Sequence, residues 1–134
     1  MVEVSLNKII MHESKPEQAI VLKEKNGQRQ VLIVIGIVEA AAIKMKISNV
    51  VSPRPLTHDL LFNVIEKSGM SLVRVVITKL EANTFYANME LRVNSKKLIS
   101  IDARPSDSIA LAIMAKAPIF VEEDIFRKLQ FLND

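Results

Sequence analysis

Thr84-Phe85-Tyr86-Ala87-Asn88-Met89-Glu90-Leu91-Arg92-Val93 carries the cleanest two-residue alternation in the chain. Successive side chains of an extended chain point to opposite faces. Phe85, Ala87, Met89, Leu91 and Val93 therefore share an inward face, and Tyr86, Asn88, Glu90 and Arg92 an outward one. Such a strand is half-buried and belongs to a largely antiparallel sheet. Leu72 to Leu80 precedes it as a second strand, and Lys97 to Ala103 follows it after the turn residues Asn94-Ser95. Arg104-Pro105-Ser106-Asp107 then opens a helix through Lys116, because proline suits the first helical position. Pro118 stops that helix, and a short strand, Ile119 to Val121, and a last helix, Glu123 to Leu132, complete the chain.

The amino-terminal half repeats this order. Val2 to Met11 alternates as a first strand. Gln18 to Lys25 and Arg29 to Ile35 flank Asn26-Gly27, a dipeptide that accepts positive φ at both centres of a tight hairpin. Val31-Leu32-Ile33-Val34-Ile35 is apolar on both faces, which predicts a central strand covered on both sides. Ile37 to Ser48 reads as a helix, Ser52-Pro53-Arg54-Pro55 as an extended connection, and Thr57 as the N-cap of a helix to Ser68 ended by Gly69. Three strands thus lead twice into an Ala/Ile-rich helix, and both helices have an acid in the first turn, Glu39 and Asp107. The pattern fits either a weak internal β-β-β-α duplication or the general preference for acids at helix starts. The fold class in both cases is α+β: one domain over 1–134, a mixed, mostly antiparallel sheet with packed helices.

Composition narrows the chemistry. Without cysteine, disulfides, thiolate-bound metals and thiol nucleophiles are excluded. Aromatic residues make up 4%, too few for a broad base-stacking platform, and the net charge of +3 accommodates a polyanion without requiring one. The amino terminus lacks a basic stretch followed by an apolar core, and no apolar run reaches membrane-spanning length. A cytoplasmic protein without membrane contact is the expectation.

Two segments gather the polar residues able to do chemistry, Pro53 to Leu60 and Asp102 to Asp107. Each opens a helix, where free N–H groups favour an anion, and each carries an arginine whose planar fork fits phosphate oxygens. Arg54 and Arg104 are candidate phosphate clamps, Ser106 a further substrate contact, and His58 a proton shuttle. Asp59, Asp102 and Asp107 are candidate oxygen ligands for Mg²⁺ or Mn²⁺, and Glu39 is a further acid of interest. Equally open readings make Asp59 and Asp107 helix-dipole partners, Arg54 and Arg104 members of a salt-bridge network, and Ser106 an N-cap.

The same segments resemble the bifunctional nuclease family. The matching stretches are Pro53-Arg54-Pro55-Leu56-Thr57-His58-Asp59-Leu60-Leu61, Asn83-Thr84-Phe85-Tyr86-Ala87, Asp102-Ala103-Arg104-Pro105-Ser106-Asp107-Ser108-Ile109-Ala110-Leu111-Ala112 and Ala117-Pro118-Ile119-Phe120-Val121. The resemblance implies no partner contacts through the extra carboxy-terminal module of some plant members, which is not expected in these residues. The resemblance implies hydrolysis of phosphodiester bonds in RNA and DNA with little sequence preference. Its rival is a non-catalytic, homo-oligomeric nucleic-acid-binding or regulatory module, in which the arginines and acids form a structural network and apolar helices make the interface.

Overall fold

The computed structural model describes residues 1–133, with side chains through residue 130. The elements run β1 (Val2–Ile10), β2 (Glu17–Glu24), β3 (Gln30–Gly36), α1 (Ile37–Ile47), α2 (Thr57–Lys67), β4 (Met70–Glu81), β5 (Thr84–Val93), β6 (Lys97–Ala103), α3 (Pro105–Ala115), β7 (Ile119–Val121) and α4 (Glu123–Asn133). One seven-stranded sheet has the order β3-β2-β1-β7-β4-β5-β6. All neighbours are antiparallel except β4 and β7. The sheet is a pair of three-stranded meanders set on either side of β7, each followed by a helix, α1 or α3. The α+β architecture read from the sequence is therefore present, and its two β-β-β-α units occupy matching places around the short central strand.

Helix α3 is the heart of the core. Pro105, Ser106, Ser108, Ile109, Ala110, Leu111 and Ala112 are all buried. The small residues let α1 and the sheet approach closely, so a helix without an exposed polar stripe is satisfied by being enclosed. Around it pack Ile20, Leu22, Val31, Ile43, Val75, Ile77, Ala87 and Val121. The inward set expected of β5 lies as read, with Ala87, Met89 and Leu91 buried and Phe85 and Val93 half-buried.

Three local expectations are corrected. β3 is an edge strand and not a central one: Leu32 and Val34 are 51% and 56% exposed on its outer face. A continuous apolar run reads alike whether its second face meets protein or solvent, so composition could not separate the cases. Asn26-Gly27 does not adopt the left-handed pair of a tight hairpin turn. Its loop is longer, closed by Glu24 N–H donating to the Arg29 carbonyl at 2.9 Å, and the Glu24 carboxylate lies over Gly27, 2.9 Å from where a Cβ would be. The left-handed pairs are Ala82-Asn83, joining β4 to β5, and Asn94-Ser95, joining β5 to β6. Finally, Leu56 is the N-cap residue of α2 and Thr57 its first helical residue. The capping contact comes from Asp59, whose Oδ2 accepts from the Leu56 N–H at 2.8 Å.

Candidate active site

The edge strand β3 and the β4–β5 turn, from opposite halves of the sheet, share a groove of about 660 Å³. One wall is β3 from Leu32 to Gly36; the other is the turn and strand start Asn83-Thr84-Phe85, with Leu80 and Leu129 below. The end of the groove is formed by the first turns of α1 and α3, contributing Gly36 and Glu39, and Arg104, Pro105 and Ser106. Neither helix start carries a side-chain cap: the N-cap residues are Gly36 and Arg104, and no side chain of either accepts from the first N–H groups of its helix. Unsatisfied N–H groups and the positive ends of two helix dipoles thus meet beside an arginine, an arrangement suited to an anion.

Arg104 is held from one side only. Its Nε donates to Asp107 Oδ2 at 2.9 Å and Nη2 to Oδ1 at 3.2 Å. The arginine side chain is 68% exposed, so the rest of its fork faces solvent and the groove. Asp107 also meets His58 Nε2 through Oδ1 at 2.8 Å, joining the first turns of α2 and α3. Burial of Asp107 pushes its carboxyl up, but the hydrogen bonds and charges of Arg104 and His58 outweigh this and hold it below the ordinary aspartate value. The ionised carboxylate then fixes Arg104 in place. His58 is only 16% exposed, with Nε2 engaged, and so braces Asp107.

Glu39, half-buried, comes to the groove from the opposite helix. Its carboxylate folds back over Gly36 so closely that a Cβ at that position would lie 2.3 Å from Oε2. Its charge also helps to hold the Arg104 guanidinium in its charged form, after the larger contribution of Asp107. Glu39 and Asp107 occupy equivalent positions in the two β-β-β-α units. The repeated acid was visible in the sequence; that one faces the groove and the other braces an arginine was not.

The remaining expected site residues lie elsewhere. Asp59 is paired with Lys46 of α1 and with the Leu56 N–H, and these two contacts, Lys46 first, hold its carboxyl below the usual range. Arg54 and Asp102 are exposed, and their side chains have no hydrogen bond or ion pair among the described residues. Ser106, in the second position of α3 and so not an N-cap, is 6% exposed and lines the end of the groove beside Arg104. Among the described residues no group of three His, Asp or Glu converges as a metal-holding set. Both oxygens of Asp107 and both of Asp59 are already engaged by protein donors. Asp59 and Asp107 are neutralised by cations of the chain itself and Asp102 stands unpaired on β6, so among the described residues the three do not fit a shared site for Mg²⁺ or Mn²⁺.

The sequence profile of the bifunctional nuclease domain matches residues 20–133. The chain belongs to the bifunctional nuclease domain family. Within reach of that family, an uncharacterized protein of Mycobacterium tuberculosis is 40% identical over 132 residues, covering 98% of this chain and 78% of its own length. Bifunctional nuclease 1 of Oryza sativa subsp. japonica is 31% identical over 119 residues, 86% of this chain but 36% of the plant protein. Bifunctional nuclease 1 of Arabidopsis thaliana is 31% identical over 111 residues, 81% of this chain and 34% of its own length. The matched region includes α1 and the Arg104 turn, which form the groove's polar end, and the His58 segment, which contacts Asp107 behind it. Among the described residues no helix is long and apolar enough to cross a membrane.

Proposed function

We propose that this bifunctional nuclease domain hydrolyses phosphodiester bonds of RNA and DNA in the groove between β3 and the start of β5. The observation that carries the reading is the junction of two uncapped helix starts with an arginine braced by Asp107 and faced by Glu39. Arg104 and the free N–H groups of α3 bind the phosphate and stabilise the charge that grows on its oxygens during attack. Glu39 removes a proton from a water molecule, whose oxygen forms the new bond to phosphorus as the bond to the leaving sugar oxygen breaks. That oxygen takes a proton from solvent, and Glu39 later returns its own. The apolar walls, including Phe85, accept a base or sugar without reading its edge, in keeping with little sequence preference. No step is assigned to a metal ion, because Asp59 and Asp107 already accept from donors of the chain itself.

The test is hydrolysis of labelled single- and double-stranded RNA and DNA by purified protein, with and without chelator. Arg104→Ala raises KM and lowers kcat, whereas Glu39→Gln lowers kcat by about a hundredfold while substrate affinity persists. Hydrolysis that ignores both substitutions belongs to a contaminant. Salt-sensitive binding without cleavage, abolished by Arg104→Ala, favours the regulatory reading instead. Uncovered Leu60 and Val64 on α2, together with Leu32 and Val34, give the chain apolar surface for association with further copies. Sedimentation velocity distinguishes that assembly from a monomer.

A further inference from the structure

Strand β1 is flanked unevenly. Along one side it pairs with β2 from Val4 to Ile10. Along the other, β7 covers only Val2, Glu3 and Val4, because β7 is just three residues long. From Ser5 to Ile10 no strand lies on that side, and among the described residues no loop backbone bonds to this stretch. Alternate main-chain N–H and C=O groups are therefore left to solvent in the interior of the sheet order, not at its ends.

Beside this open edge run two adjoining hollows of about 560 and 450 Å³, joined where both touch Leu6 and Ile113. Their floor is apolar, from Leu6, Ile9, Ile47 and Ile113. Their rim is basic: Lys8, Lys44, Lys116 and Lys25. The single acid among these lining residues, Glu3, is already paired with Lys25 at 3.1 Å. Lys8, Lys44 and Lys116 have no ion-pair partner among the described residues.

We infer that this trough binds an extended acidic and apolar peptide segment of another protein, added as a strand to the Ser5–Ile10 edge of β1. Each feature has a matching part in such a ligand. Open main-chain groups pair with a second backbone, alternate apolar side chains reach the floor, and the acidic ones meet the lysines. At about 3.3 Å per residue, the open stretch takes a strand of roughly six residues. A second copy of this chain is disfavoured, because placing two such edges together sets lysine rim against lysine rim. A nucleic acid strand finds the charge but has no use for the unpaired strand edge or the apolar floor. The inference does not depend on the nuclease reading, since the trough lies at the carboxy-terminal ends of α1 and α3, away from the groove at their starts.

Fluorescence anisotropy with a labelled, end-capped peptide of alternating valine and glutamate, six residues long in round terms, tests it. Three comparisons accompany it: the same peptide methylated at alternate backbone nitrogens, a single-stranded oligonucleotide, and the Lys8→Glu/Lys44→Glu variant. The unmodified peptide binds and slows amide exchange at Ser5 to Ile10. Backbone methylation weakens binding by about tenfold or more, since two or three main-chain hydrogen bonds are blocked. The charge-reversal variant weakens it by about tenfold, while an added salt titration weakens it further. The methylated peptide uses unaltered protein, so a misfolded variant cannot mask the answer. Equal binding of the methylated peptide, unchanged exchange at β1, or absence of peptide binding at millimolar concentration would each overturn the inference. Oligonucleotide binding that the lysine variant abolishes and the peptide does not displace would replace it with a nucleic acid track.

Discussion

The contact between His58 and Asp107 is, among the described residues, the one hydrogen bond that joins the two polar segments, and a double-mutant cycle measures it. Asp107 accepts from His58 at 2.8 Å and from Arg104 at 2.9 Å. It also sits in the first turn of α3, where a negative charge is favourable. Its side chain is 29% exposed and that of His58 16%, so the contacts are neither fully screened nor fully buried. Charge-assisted hydrogen bonds of this kind are discounted for partial solvent access, and the dipole term adds less than about 1 kcal/mol. Asp107→Ala should therefore destabilise by about 2 kcal/mol, and His58→Ala by about 1 kcal/mol. The double variant should cost about 2 kcal/mol, leaving a coupling of about 1 kcal/mol. For a chain of this size, Asp107→Ala lowers Tm by about 8 °C in thermal unfolding followed by circular dichroism. A coupling below about 0.3 kcal/mol in matched urea titrations would show that the pair holds nothing, and with it the claim that His58 braces the arginine clamp through Asp107.

Four further outcomes follow from the coordinates. Gly36→Ala has ordinary backbone geometry but drives its Cβ into the Glu39 carboxylate; stability should change by less than about 1 kcal/mol while hydrolysis falls as Glu39 is displaced, measured by unfolding and turnover on the same preparation. Ala82 holds φ of 49° in the β4–β5 turn, so Ala82→Gly should stabilise by about 0.5 kcal/mol in urea unfolding, relief of strain exceeding the added chain entropy. Arg29 joins Glu24 to Glu123 and stacks on Phe126, tying the β2–β3 hairpin to α4; Arg29→Ala should cost about 1 kcal/mol, less at high salt. The carboxyls of Asp59 and Asp107 are held low in the folded state, so their contribution is complete above the unfolded value of about 3.9 and is lost as pH falls through their folded values. Asp59→Asn/Asp107→Asn should accordingly flatten the fall of Tm between about pH 5 and about pH 2, and an unchanged slope would refute the assignment.

Local physics was legible wherever one face of an element meets the core and the other meets solvent. The alternation of Thr84 to Val93, the proline at the start of α3 and the turn at Asn94-Ser95 each wrote their structure into neighbouring residues, because side-chain direction and φ restriction are properties of a few consecutive positions. The arginine and acids of the Arg104 turn were equally visible as candidates, and Arg104 and Asp107 are paired where Arg104 lines the end of the groove.

Sequence alone determined which segments are strands and helices, that two similar units follow one another, and which polar residues stand at helix starts. Tertiary structure decided that β3 lies at an edge, that Asp59 is consumed by Lys46, that Asp102 and Arg54 stay outside the cluster, and that Glu39 rather than Asp59 or Asp102 faces the groove with Arg104. The division has a simple cause. A strand's period is fixed by bonds between neighbours, whereas the partner of a carboxylate is fixed by how the sheet rolls and which helix start arrives beside another, and no spacing along the chain encodes that meeting.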